Sequence, residues 1–281
     1  VSRPVIMNPA LRLEAPKPLL ESSNIHIVGV VERKEDGVID YDKMIIPLHN
    51  RLGKTTILCL AVPFLRLGDY PVMPDAGNSY TEGVATLYRE LVSYAEKKLE
   101  NGQSLIAMVH LHVQNADITD MDTAERPIMG GVEGIRANTF APELLYVALG
   151  HIHKAQALDA KGTIRYSGSP LPMSFAERGY VHQIVSVEID DGSLRNLTGI
   201  PVPVRVALQR VPEKPALLPE VLVLLQQLPS CTGDLTTAPY LEVRVLLDGP
   251  EPALRHKIEE VLKDKQVRLA RIESARPEKK K

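Results

Sequence analysis

Two pairs of histidines, each two residues apart, are the feature of this sequence best suited to chemistry: His110 and His112 in VHLHV, and His151 and His153 in LGHIHKA. In an extended segment residues i and i+2 point to the same side, so each pair can address one point. Imidazoles aimed together are what a zinc, manganese or iron site uses. One such pair could equally close a strand, with one ring bonded to a carbonyl and the other solvated. Two pairs, each directly behind an apolar run, carry more weight, because ligand sites gather at the carboxyl ends of buried strands. The other four histidines read as structural or solvated: His26 and His182 sit inside strand patterns, His49 lies in a turn after Pro47, and His256 falls on an amphipathic helix.

The elements that must position these rings follow from the apolar patterning. Residues 25–31 (IHIVGVV), 55–62 (TTILCLAV), 105–109 (LIAMV) and 144–149 (LLYVAL) are β-rich runs bounded by polar or turn residues, and they predict buried strands. The last two deliver the histidine pairs at their ends. A helix is predicted after residue 78, where Ser79 and Glu82 have capping-box spacing and Val84, Leu87, Leu91 and Tyr94 recur at helical intervals up to Asn101-Gly102. Residues 114–138 are polar and Gly-rich, long enough to predict a functional loop. A hairpin over 157–166 and a strand over 180–189 complete the first part. Beyond Ile200-Pro201-Val202-Pro203 the pattern becomes strand 204–211, helix 215–228, strand 240–247, helix 252–262 and strand 267–273. The expectation is therefore a domain over 1–200 and a βαβαβ module over 201–281.

Composition bounds the rest. A chain of 281 residues with 44% hydrophobic content can bury a substantial core, and its net charge of −2 gives no global signature of nucleic-acid binding. A local basic bias exists: residues 255–281 hold ten Lys or Arg against five Asp or Glu. Cys59 and Cys231 are too far apart in sequence to form a metal-binding pair or a disulfide framework, which points to a reducing, cytoplasmic setting. No apolar run is long enough to span a bilayer and no signal-peptide core opens the chain, so no membrane association is expected.

With these residues in view, YVALGHIHKAQ followed by YSGSPLPMSF (166–175), with CLAVPFLRLGDYP (59–71) and LIAMVHLHVQNAD (105–117) in the same order, resembles the calcineurin-like metallophosphoesterases. Within them it is most similar to the nuclease subunits that process double-strand DNA breaks beside an SbcC-type ATPase. The resemblance implies an α/β (α+β) fold: the C-terminal part of a metallophosphoesterase β-sandwich flanked by helices, with the βαβαβ module as a DNA-binding capping domain. It implies a two-manganese site in which His110 and His151 share one ion and His153 binds the other, and it sets His112 aside. Two such ions activate a water and stabilise the charge on a phosphodiester. Lys154 and Arg136 are candidate phosphate neighbours on DNA. An SbcC-type ATPase, and a second copy of the chain in a homodimer, are the implied protein partners.

The family's earlier motifs, Asp-x-His, Gly-Asp-x-x-Asp and Gly-Asn-His-Asp, do not occur here, and LRLEAPKPLLESSNIHIVG resembles the family's segment just after the third of them. The carboxylate ligands and the proton-donating histidine are thus expected before Val1, no catalytic residue is assigned within the chain, and the chain alone is expected to be inactive. Two other readings compete: a calcineurin-like phosphoesterase acting on a nucleotide or phosphoprotein, and a non-catalytic DNA-binding or scaffolding remnant. The βαβαβ module and YSGSPLPMSF argue against the first. MGGVEG lacks a leading strand and a following Gly-Lys-Ser/Thr, so it reads as a turn and not a phosphate loop, and Asn8, Asp117, Asp120 and Asp122 read as turn or surface residues.

Overall fold

The computed structural model describes residues 16–72, 79–117 and 134–277. The predicted loop therefore lies mostly outside the described residues, as do Asn8, Asp120, Asp122, MGGVEG and the side chain of Ser79. Two compact units divide the chain: Val1–Pro170 together with Gln183–Pro201, and Leu171–His182 together with Val202–Lys281.

The first unit opens with the short helix α1 (Lys17–Glu21) and is built on a six-stranded sheet. Its strands are β1 (Ile45–His49), β2 (Thr55–Val62), β3 (Ser104–His110), β4 (Leu144–Gly150), β5 (Gln156–Ala157) and β6 (Ile164–Tyr166), in the order β1-β2-β3-β4-β6-β5. β2, β3, β4 and β6 run parallel, while β1 and β5 close the two edges antiparallel. Helix α2 (Ser79–Glu96) supplies Val84, Leu87, Tyr88, Leu91 and Ala95 to one core with Leu60, Leu105, Ala107 and Val147. These helix positions recur at three- and four-residue intervals and form the apolar stripe that an amphipathic helix lays on a sheet. β3 shows the consequence of period two: Leu105, Ala107 and Val109 are buried, whereas Met108 and His110 alternate with them and are exposed. A hairpin of β7 (Gln183–Asp190) and β8 (Ser193–Pro201) completes this unit.

One predicted strand is absent. Residues 25–31 contain no strand and join no ladder beyond the single Arg33–Ile39 bridge next to them. Val28 and Val31 pack against the core as the apolar pattern requires, but an edge of the sheet is taken by β1. β1 itself went unpredicted because Pro47 breaks the strand pattern, and an edge strand tolerates proline where a central one does not.

The second unit is the βαβαβ module: β9 (Leu208–Leu217), helix α3 (Leu218–Gln226), β10 (Tyr240–Leu246), helix α4 (Leu254–Leu262) and β11 (Arg268–Ala275). β10 lies between β9 and β11 and is parallel to both. Val221 and Leu225 of α3 and Ile258 and Leu262 of α4 pack on Leu241, Val243 and Val245 as a separate core. Glu242, on the other face of β10, is fully buried and is held by Arg210 and Arg271 from the flanking strands. The structure as a whole is mixed α/β.

Candidate metal centre and the loop beneath it

The carboxyl ends of β3 and β4 lie side by side because the two strands are parallel and in register, with His110 opposite Gly150. That register places the ring of His151, one residue further on, with its centroid 5.3 Å from that of His110, edge to face. A Cβ at Gly150 would stand 3.0 Å from His110 Nδ1, a tight contact that would press the imidazole aside by a few tenths of an ångström. Phe64, just beyond β2, meets His110 from the other side at 6.1 Å between ring centroids. It is a neighbour that periodicity gave no reason to single out.

The four histidines form one electrostatic group. Desolvation lowers the pKa of His110, with a further contribution from His153, and desolvation likewise lowers His112. His151 is pushed down to about 4, by burial first and then by His110, His112 and His153. Burial penalises the charged imidazolium, and neighbouring imidazoles of like charge penalise it again. His110, His112 and His151 are therefore held toward the neutral form, whose ring nitrogens carry a lone pair. His112, which the family resemblance sets aside, belongs to this group by its action on His151.

His151 also carries backbone strain. Its φ of 107° lies in the left-handed half of conformational space that non-glycine residues seldom adopt. The loop that forces this turn is held from below by YSGSP. The Tyr166 hydroxyl, completely buried, donates to the Leu111 carbonyl at 2.7 Å and accepts from the Val113 amide at 3.0 Å, fixing the segment that leaves His110. Gly168, at φ 78°, passes so close that a Cβ there would lie 2.6 Å from the His153 carbonyl and 2.8 Å from the Ala155 amide. The neighbouring Ser169 amide donates to that same His153 carbonyl at 3.0 Å.

The candidate DNA contacts are placed less directly. Lys154 follows His153 but forms an ion pair with Asp117. Gln156 ties the two together, accepting from the Asp117 amide at 2.7 Å and donating to the Asp117 and Lys154 carbonyls. Arg136 lines a neighbouring cleft. In the second unit much of the basic bias is engaged internally: Arg255 with Glu259, Lys257 with Glu251, Lys265 with the Leu228 carbonyl, and Arg268 with the Ala238 carbonyl and the Tyr240 ring.

The donor chemistry falls short of the manganese pair the family implies. Among the described residues no group of three or more His, Cys, Asp or Glu is assembled to hold a metal ion. The charges that act on His110 and His151 to lower their pKa are those of neighbouring histidines. Manganese favours oxygen donors, so these nitrogens by themselves do not fit it.

Comparison with known proteins agrees with the resemblance seen in the sequence. Residues 204–281 match the family model described as the type 5 capsule protein repressor C-terminal domain. The chain is 34% identical over 277 residues to the D subunit of nuclease SbcCD from Rhodobacter capsulatus, covering 96% of this chain and 67% of that protein. It is 29% identical over 163 residues to the D subunit of nuclease SbcCD from Escherichia coli K12, covering 56% of this chain and 40% of the relative. The corresponding protein of Bacillus subtilis is 29% identical over 190 residues, covering 64% and 44%. A mixed α/β protein with imidazoles gathered at the carboxyl edge of a parallel sheet is thus placed among nuclease subunits. The chain belongs to the SbcD family, the D subunits of nuclease SbcCD, and it spans from two fifths to two thirds of the length of these relatives.

Proposed function

We propose that this chain supplies the imidazole half of a two-manganese DNA phosphodiesterase site, as the SbcD component of an SbcCD-type exonuclease and endonuclease acting in repair and recombination. The observation that carries this reading is the meeting of His110 and His151 at the ends of adjacent parallel strands, within a chain of this family. His110, His151 and His153 are the proposed ligands. The oxygen ligands must come from outside the described residues, and the 281 residues alone are inert. Lys154 and Arg136 are proposed to neighbour DNA phosphates, with Lys154 exchanging Asp117 for phosphate.

An SbcC-type ATPase, DNA and a second copy of the chain are the proposed partners. Both cysteines are free thiols, one buried and one exposed, which fits a reducing cytoplasm. Among the described residues no helix is long and apolar enough to cross a membrane.

The test joins this chain to the segment of the Rhodobacter capsulatus relative that precedes the matched region, together with the ATPase subunit from the same source. Manganese-dependent cleavage of a linear duplex is expected from the joined protein, is expected to be lost in His151→Ala, and is expected to be absent from the 281 residues alone. Cleavage that survives His151→Ala, or robust cleavage by the unjoined chain, overturns the proposal.

A further inference from the structure

A second concave feature lies in the first unit, outside the histidine group. It is a cleft of about 440 Å3 whose walls include Gln114, Asn115, Arg136, Asn138, Ala157 and Leu158. This volume falls within the range of small-molecule sites. The walls are fixed by backbone bonds: a parallel bridge joins Val113 to Ile135, the Gln114 amide donates to the Ile135 carbonyl at 2.8 Å, and the Ile135 amide donates to the His112 carbonyl at 3.0 Å. Asn115 sits at φ 63° in the turn after that bridge. The side chains of Gln114, Asn115, Arg136 and Asn138 bond to no described group, whereas the nearby Gln156 amide is fully committed.

The third wall is the free edge of the sheet. β5 is the outermost strand, and Leu158 donates to Ile164 across the pair. Antiparallel strands alternate bonded and unbonded residues, so the Ala157 N–H and C=O point away from β6, toward the open edge. The cleft thus combines a backbone donor and acceptor on one edge, three uncommitted carboxamides, an apolar surface at Leu158 and Ala137, and one guanidinium, with no acidic side chain among the described residues of the lining. Carboxamides and a backbone donor–acceptor pair match the edge of a nucleobase, and a guanidinium matches a phosphate.

We propose that this cleft takes one unpaired nucleotide, with its base against the edge of β5 and its phosphate on Arg136. Gln156 carries the connection to the histidine group, since the same side chain lines the cleft and binds the Lys154 carbonyl one residue from His153. The proposal rests on the nuclease reading and adds the state of substrate recognised: a strand whose base has left its partner. Extruding a base is least costly where the nucleic acid is already single-stranded or mismatched.

Saturation-transfer NMR of the 281-residue chain with 2′-deoxyadenosine 5′-monophosphate tests this without metal or cleavage, so failure here and failure of the joined-protein cleavage are separate results. The base protons are expected to receive the strongest saturation. Arg136→Ala is expected to weaken binding about ten-fold, the scale of one charge-assisted contact. Asn138→Leu and Asn138→Asp are both expected to abolish binding, the second without a change in side-chain size, and Cys231→Ser, at an exposed thiol in the second unit, is expected to leave it unchanged. Absence of saturation at the base, displacement by equimolar inorganic phosphate, or binding that persists in both Asn138 variants overturns the proposal.

Discussion

The Tyr166 hydroxyl reaches from the end of β6 to the Leu111 carbonyl, 2.7 Å away, and so pins the first residue after His110 from a strand two places removed in the sheet. The same oxygen takes the Val113 amide, and neither bond has water to replace it because Leu111, Val113 and Tyr166 are all buried. Tyr166→Phe leaves a buried carbonyl and a buried amide without this partner. The expected cost is about 1–3 kcal/mol, the usual penalty for stranding buried polar groups. Urea denaturation followed by circular dichroism measures it, and a loss below a few tenths would show that the bonds are not coupled to folding.

His151 holds a backbone conformation suited to glycine. His151→Gly should therefore raise stability, by about 1 kcal/mol, even as it removes a proposed ligand. His151→Ala removes the ring and keeps the strain, so the two variants separate what the imidazole does from what the turn costs. Equal midpoints for the two in thermal melting would contradict the strained-turn account.

The two thiols should differ sharply in reactivity. Cys59 is buried in β2 and burial pushes its pKa up to about 11, while Cys231 is exposed. The thiolate is the reactive form, so a chromogenic disulfide reagent at pH 8 is expected to consume one thiol per chain quickly and the second only after denaturant is added. Cys231→Ser should abolish the fast phase, and two fast thiols in the native wild type would contradict the burial of Cys59.

Asp42 provides a pH-dependent tether between the turn before β1 and helix α2. Its carboxylate accepts from Lys98 and, at 2.8 Å, from the Tyr94 hydroxyl. The bond from Lys98 first and that from Tyr94 second hold its pKa below the ordinary 3.8. A carboxyl whose folded pKa is depressed adds stability that is present above its unfolded pKa and is lost as pH falls through the folded value. Asp42 is well exposed, so solvent screening limits the contribution to under about 1 kcal/mol. Melting temperature measured from pH 6 down to pH 3 should fall more steeply in the wild type than in Asp42→Asn, and parallel curves would show that the tether adds nothing.

How far the sequence disclosed this arrangement depends on what each residue packs against. β2, β3 and β4 were legible because parallel strands covered by a helix must be apolar through most of their length, and so was the alternation of strand and helix in the second unit. β8 was not legible: its mostly exposed, polar face gives no run to detect, and only its partner β7 shows the pattern. The histidine spacing disclosed which rings share a strand end. It could not disclose the positive φ of His151, which comes from the loop returning over YSGSP, nor the Asp117–Lys154 pair, whose members are brought together by the turn at Asn115 and the course of the loop after β4. Arg136, picked out as a phosphate neighbour, acquires a setting only once Val113 and Ile135 are seen to pair.

The path of the chain between its two units has a consequence for inheritance. It passes from the first to the second after Pro170, returns at Gln183 and leaves again after Pro201, so the second unit is assembled from two separate stretches of sequence. Within it Arg178, from the shorter stretch, pairs with Glu213, from the longer. A crossover between genes that exchanged only the part after residue 201 would split that pair between two parents. The two units are therefore expected to descend together, with compatible changes on either side of the hairpin that separates the stretches.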